Sequence, residues 1–196
     1  MMDILLDIGR FVLGFLPWIL FLFLPTDGWE PLRRAVLICL AASVVFSLKA
    51  LRERFILQWT TVAFFLFCAI SFYGFNWVWL ARHMSVIANL VLDAIIWLSI
   101  VSGKPFTLQY AKAEAPPEVW NSEAFIRGCR SIALFWGALL LVPSAFSFLG
   151  LFYPAALPRG LGFFITLTCM VLGIVWTTLF KRAKRRQRAA LDAQAG

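Results

Sequence analysis

Asp93 is set in the middle of a hydrocarbon run, Leu90-Val91-Leu92-Asp93-Ala94-Ile95-Ile96. Ser85, Asn89 and Asp93 recur every four residues, so a helix carries all three on one face, with Trp97 continuing the row. An acidic side chain near the bilayer midplane costs on the order of 3 kcal/mol on insertion scales. It should therefore face a bundle interior and find a partner. Residues of suitable type at matching depth are Ser43, Ser47, Thr60, Thr61, Cys68, Thr166, Thr168 and Thr177. Three uses are open: an inter-helix hydrogen bond, a contact for a ligand or partner inside the membrane, or a step in a proton or ion relay. No second acid continues a path, which weighs against the relay.

His83 is the only histidine. One imidazole can ligate the metal of a tetrapyrrole, and it can equally sit at a headgroup or in a loop. A zinc site needs three or four ligands, which this chain does not assemble. Cys39, Cys68, Cys129 and Cys169 are far apart and form no C-x-x-C pair, so they read as small apolar packing residues. A Ser/His/Asp triad is excluded on one helix, where ten residues separate His83 from Asp93 by about 15 Å. Gly103-Lys104-Pro105 lacks the upstream glycine and the following Ser or Thr of a phosphate loop. No catalytic constellation emerges, and the expectation is a protein that is not an enzyme.

The elements that must position these residues follow from composition. Of 196 residues, 62% are hydrophobic and 14% charged, and the mean hydropathy is +0.84. Soluble domains run near 45–50% apolar and about 25% charged, so lipid must be the solvent for much of this chain. The spacing predicts an all-α, polytopic membrane bundle of about six transmembrane helices over 4–24, 32–51, 55–73, 77–102, 131–152 and 161–180, making residues 1–180 a single transmembrane domain. The first starts its uninterrupted apolar core only at Phe11 and contains Pro17. With Asp3 and Asp7 near its start and no basic leader, it reads as a retained helix rather than a signal.

Of the 18 Lys and Arg, only Arg33, Arg34, Arg82 and Arg159 fall on one side of this scheme. The rest share the opposite side, which predicts N-in, C-in topology. The formal charge of +8 then belongs to membrane orientation and anionic headgroups, and no nucleic-acid partner is expected. Trp18, Trp29, Trp59, Trp77, Trp79 and Tyr153 fall near predicted helix ends, where amphipathic rings settle at headgroup level.

Residues 103–130 form the longest connection, read as cytoplasmic and membrane-hugging. Phe106, Leu108 and Tyr110 alternate with Thr107 and Gln109, which suggests an extended strip on the membrane surface. Pro116-Pro117 breaks it, and Asn121 or Ser122 can cap the helix that follows. Lys104, Pro105, Phe106, Tyr110 and Trp120 are its candidate partner-binding residues. Residues 181–196 form a basic cytoplasmic tail in which Lys181, Arg182, Lys184, Arg185, Arg186 and Arg188 are candidate ligands for anionic lipid.

Four features in order along the chain carry a family likeness. Phe15-Leu16-Pro17 precedes an aromatic apolar run, and Lys104-Pro105 follows the fourth helix. Pro117-Glu118-Val119-Trp120 leads into the fifth, and a basic tail follows the last. In this layout the chain resembles the bacterial inner-membrane septation protein A family (intracellular septation proteins). The resemblance implies a multi-pass protein of the bacterial cytoplasmic membrane with a cell-envelope role exerted through protein partners. The leading expectation is thus a non-enzymatic membrane scaffold or accessory subunit binding other membrane proteins, without a cofactor. The alternatives are a small transporter or channel using the Asn89/Asp93 stripe, and a pigment- or haem-binding subunit with a tetrapyrrole on His83.

Overall fold

A computed structural model describes residues 2–153 and 160–195, with side chains described for 13–113, 115–153, 160–184 and 187. Arg159 and the side chains of Asp3, Asp7, Arg10, Arg185, Arg186 and Arg188 lie outside that set. Among the described residues every regular element is helical. In chain order these are α1 (Met2–Phe23), α2 (Trp29–Val45), α3 (Leu48–Arg52), α4 (Ile56–Tyr73), α5 (Val78–Arg82), α6 (Met84–Val101), α7 (Phe106–Glu114), α8 (Glu123–Phe152) and α9 (Leu161–Ala195), with one 3-10 turn at Pro117–Val119.

Four of these helices are long and apolar enough to cross a membrane: Ile56–Tyr73, Met84–Val101, Glu123–Phe152 and the Leu161–Lys184 part of α9. The last three reach a mean hydropathy of 2.1 over their most apolar window. Large apolar side chains such as Leu66, Phe67 and Ile70 on α4, Leu98 on α6 and Val171 on α9 point outward. Water would not tolerate so much exposed hydrocarbon, whereas lipid requires it. The chain is a helical membrane protein.

The first expected span, 4–24, coincides closely with α1, whereas the second is shorter than the sequence suggests. The run expected as 32–51 is cut at Phe46-Ser47, where Ser47 leaves helical geometry (φ −107, ψ 8) and α3 begins. The β-branched pair Val44-Val45, followed by Phe46 and Ser47, is a weak helix-forming sequence. The fourth run also divides, with His83 joining α5 to α6. The fifth is longer than expected. It begins at Glu123, because the Ser122 hydroxyl accepts from the Phe125 N–H (3.4 Å) and the helix then runs on without a break.

The main packing partners are α6 with α8, α2 with α4, and α8 with α9, and α1 touches α2, α4, α7 and α9. Two indoles fasten these layers. Trp18 donates from Nε1 to Thr61 Oγ1 (3.0 Å), joining α1 to α4, and Trp136 donates to Thr177 Oγ1 (2.9 Å), joining α8 to α9. The Trp136 ring stacks on Phe15 at 4.8 Å. It also fits against Gly173, where a Cβ would lie 2.6 Å from the ring, so only glycine permits this approach. Trp18 is therefore a core residue and not a headgroup aromatic, while Trp59, Trp77, Trp79 and Tyr153 are exposed. Thr61 and Thr177, which had the depth to serve Asp93, are engaged by these indoles instead.

Candidate functional site

The Ser85–Asn89–Asp93 row does share one face of α6, and that face meets α8. Ser144 donates its hydroxyl to Asp93 Oδ2. Asn89 donates from Nδ2 to Ser147 Oγ (2.7 Å), and the Ser85 hydroxyl is 3.3 Å from the same oxygen. Ser144 and Ser147 lie just past Pro143, which is buried inside α8. The partners are thus on the fifth apolar run, not on the second, third or sixth as expected. Helices α6 and α8 are antiparallel neighbours, and the middle of one necessarily meets the middle of the other.

The two ends of this seam differ. Ser85, Asn89 and Ser147 line a cavity of about 400 Å³ bounded by α1, α6, α8 and α9, with Arg82 at its edge. Asp93 opens elsewhere, into the wall of an open groove of about 520 Å³ between α6 and α8, together with Trp97, Leu141, Ser144 and Phe148. Asp93 is 5% exposed. Its Oδ1 and the Nε1 of Trp97 are both buried and have no hydrogen-bond partner among the described residues. A donor and an acceptor one turn apart are therefore left unsatisfied at the middle of a spanning helix. Buried polar groups in that state are uncommon and costly.

The 103–130 connection is not an extended strip. Phe106–Glu114 is helical, because Phe106 and Tyr110 satisfy i,i+4 as well as alternation, and over five residues the two periods cannot be told apart. The tertiary contacts choose the helix. Phe106 (0% exposed) and Tyr110 (5%) both point into the bundle, and Phe106 sets its ring edge-on to Phe15. Four bonds hold α7. The Phe106 N–H donates to Ser99 Oγ (3.1 Å), and Thr107 Oγ1 donates to the Cys129 carbonyl (2.7 Å). Gln109 Oε1 accepts from the Ile56 N–H (2.9 Å), capping the start of α4, and Gln58 Nε2 donates to the Tyr110 hydroxyl. Gly14 of α1 lies against that last pair, where any Cβ would collide with both groups. Burial pushes the Tyr110 phenol above its ordinary range, so it stays neutral at physiological pH.

Of the candidate partner-binding residues, Pro105, Phe106 and Tyr110 are thus buried within the chain itself, and Lys104 is exposed. Trp120 is half-buried, donating to the Ala115 carbonyl (2.8 Å) beneath the Lys112 ammonium. Sequence reasoning did not single out Gln58, Thr107 or Gln109. The signal was present in Gln58, an amide at the start of an otherwise apolar run.

His83 stacks on Trp79 (4.4 Å) and donates from Nδ1 to the Trp79 carbonyl (2.8 Å). Among the described residues no group of three or more His, Cys, Asp or Glu is placed to hold a metal ion. In the tail, Lys181 is half-buried, and Arg182 and Lys184 are exposed on the continuing α9. Comparison with protein families, with curated proteins and with solved structures finds no match to this chain.

Proposed function

We propose that this protein is a non-enzymatic scaffold or accessory subunit that binds a transmembrane helix of another membrane protein in the α6/α8 groove. The observation that carries the reading is the unpartnered pair beneath that groove, Asp93 Oδ1 and Trp97 Nε1. Lipid tails offer neither a donor nor an acceptor, whereas a helix presenting a hydroxyl, amide or ammonium satisfies Asp93. Small residues in the wall, Ala94 and Ala145, allow close approach. The transport and tetrapyrrole readings have less support, since the amide and hydroxyls of the stripe are bonded to α8 and His83 is tied to Trp79.

In a mild detergent, the wild-type protein is expected to show the mass of a complex with a second membrane protein. Asp93→Leu should release that partner while keeping its helix content, and Asp93→Asn, which retains hydrogen-bonding groups, should hold it more firmly than the leucine variant. A monodisperse wild-type monomer, or equal retention by Asp93→Leu, would sink the proposal.

Around this site the reading places six membrane segments with both ends in the cytoplasm of a bacterium, as the septation protein A resemblance implies, and a cell-envelope role. An impermeant maleimide applied to intact cells is expected to label Asn76→Cys and to spare Lys104→Cys and Gln187→Cys. The four native cysteines are buried and give a low background. Labelling of either spared position refutes the topology.

A further inference from the structure

A second cavity, independent of the α6/α8 groove, lies where α1, α3, α4 and α7 converge. It encloses about 640 Å³, within the range of sites for small-molecule ligands. Its walls are mostly apolar, with Leu13, Phe46, Phe55 and Trp120 among them. Phe46 and Leu13 are also exposed, so the cavity has an apolar mouth. Lys49 and Lys112 both line the cavity, with Glu53 the one acidic residue among the described lining. Lys49 is only loosely paired to Glu53 (3.9 Å), and its side chain is 78% exposed.

Gln58, a lining residue, is 3% exposed and gives its Nε2 to Tyr110, and its Oε1 accepts from no donor among the described residues. Turning the amide over would only exchange which of its two polar atoms is left over. A buried amide atom without a partner costs about 1–3 kcal/mol. An occupant that supplies the missing hydrogen bond recovers that cost.

We infer that this cavity binds an anionic lipid whose headgroup carries a hydroxyl. Its phosphate meets Lys49 and Lys112, its hydroxyl donates to Gln58 Oε1, and its hydrocarbon leaves across Phe46 and Leu13 into the bilayer. The combination discriminates by chemistry. Two ammonium groups favour an anion over a zwitterion, the amide favours a hydroxyl, and the apolar exit favours an amphiphile over a free ion.

Native mass spectrometry of the full chain, titrated with phosphatidylglycerol, phosphatidylcholine or inorganic phosphate, tests this. Phosphatidylglycerol is expected to bind at least tenfold more tightly than phosphatidylcholine, and millimolar phosphate should not displace it. The double variant Lys49→Gln/Lys112→Gln should lose about tenfold. Ala113→Trp, which fills the cavity from the exposed side of α7, should abolish the tight site with helix content and melting unchanged. Replacing Lys181 and Arg182 with Gln controls for the basic tail and should leave the tight site intact. The inference is overturned if phosphate displaces the lipid, if the tail variant alone removes binding, or if Ala113→Trp binds as the wild type does.

Discussion

Trp136→Ala is expected to be among the most damaging single substitutions in the bundle, costing about 3–5 kcal/mol. Trp136 is 0% exposed, and it joins three helices at once. Its ring stacks on Phe15 of α1, its Nε1 donates to Thr177 of α9, and its face fills the space left by Gly173. Alanine removes all three contacts and leaves a void that rigid neighbouring helices close only in part. For a chain of this size that loss corresponds to a fall of about 10 °C in the detergent melting midpoint. Trp136→Phe keeps one aromatic ring but loses the N–H and part of the indole, so its expected cost is smaller, about 1–3 kcal/mol. Val101→Ala, at an 82% exposed site, serves as the indifferent control. A midpoint for Trp136→Ala within 2 °C of wild type would contradict this account of how α1, α8 and α9 are held.

Phe106→Ala should act locally and strongly. Phe106 is 0% exposed and is the apolar anchor of α7, touching Phe15 and Tyr110. Loss of the ring costs about 3–5 kcal/mol. Much of that cost falls on the docking of α7, a short element able to open as a unit without the rest of the bundle. Lys112 lies on α7, and trypsin can cut after it only when the helix opens. Where opening is fast relative to cleavage, the rate follows the open population, so about 3 kcal/mol predicts roughly a hundredfold faster cutting at Lys112. Unchanged proteolysis would mean that α7 rests on the surface, as the alternation of its sequence first suggests. Phe106 and Trp136 share Phe15 as a neighbour, so the two substitutions together should cost less than their sum.

The candidate site was partly legible in the sequence. Asp93, Asn89 and Ser85 could be placed on one face because four-residue spacing and a hydrophobic setting are local properties. Their partners could not be read, because Ser144 and Ser147 become neighbours only once α6 and α8 lie antiparallel. Hydroxyls at similar depth on three other runs were equally eligible. Two of these, Thr61 and Thr177, are engaged by Trp18 and Trp136. The cavity between α1, α3, α4 and α7 was harder to see. Lys49, Gln58, Tyr110 and Trp120 come from distant parts of the chain and share no spacing.

What the sequence alone determined was the solvent and the local form of the chain: apolar runs of membrane length, helical periodicity, and a cap at Asn121 or Ser122, of which the structure uses Ser122. These follow from transfer free energies and backbone preferences that each residue carries with it. Tertiary structure alone decided which polar groups meet, that 106–114 is a helix seated in the bundle, and that the second run ends early at Val45. The reason is physical. A short segment compatible with two periodicities, or a hydroxyl with several neighbours in reach, has no preference of its own until packing removes the alternatives.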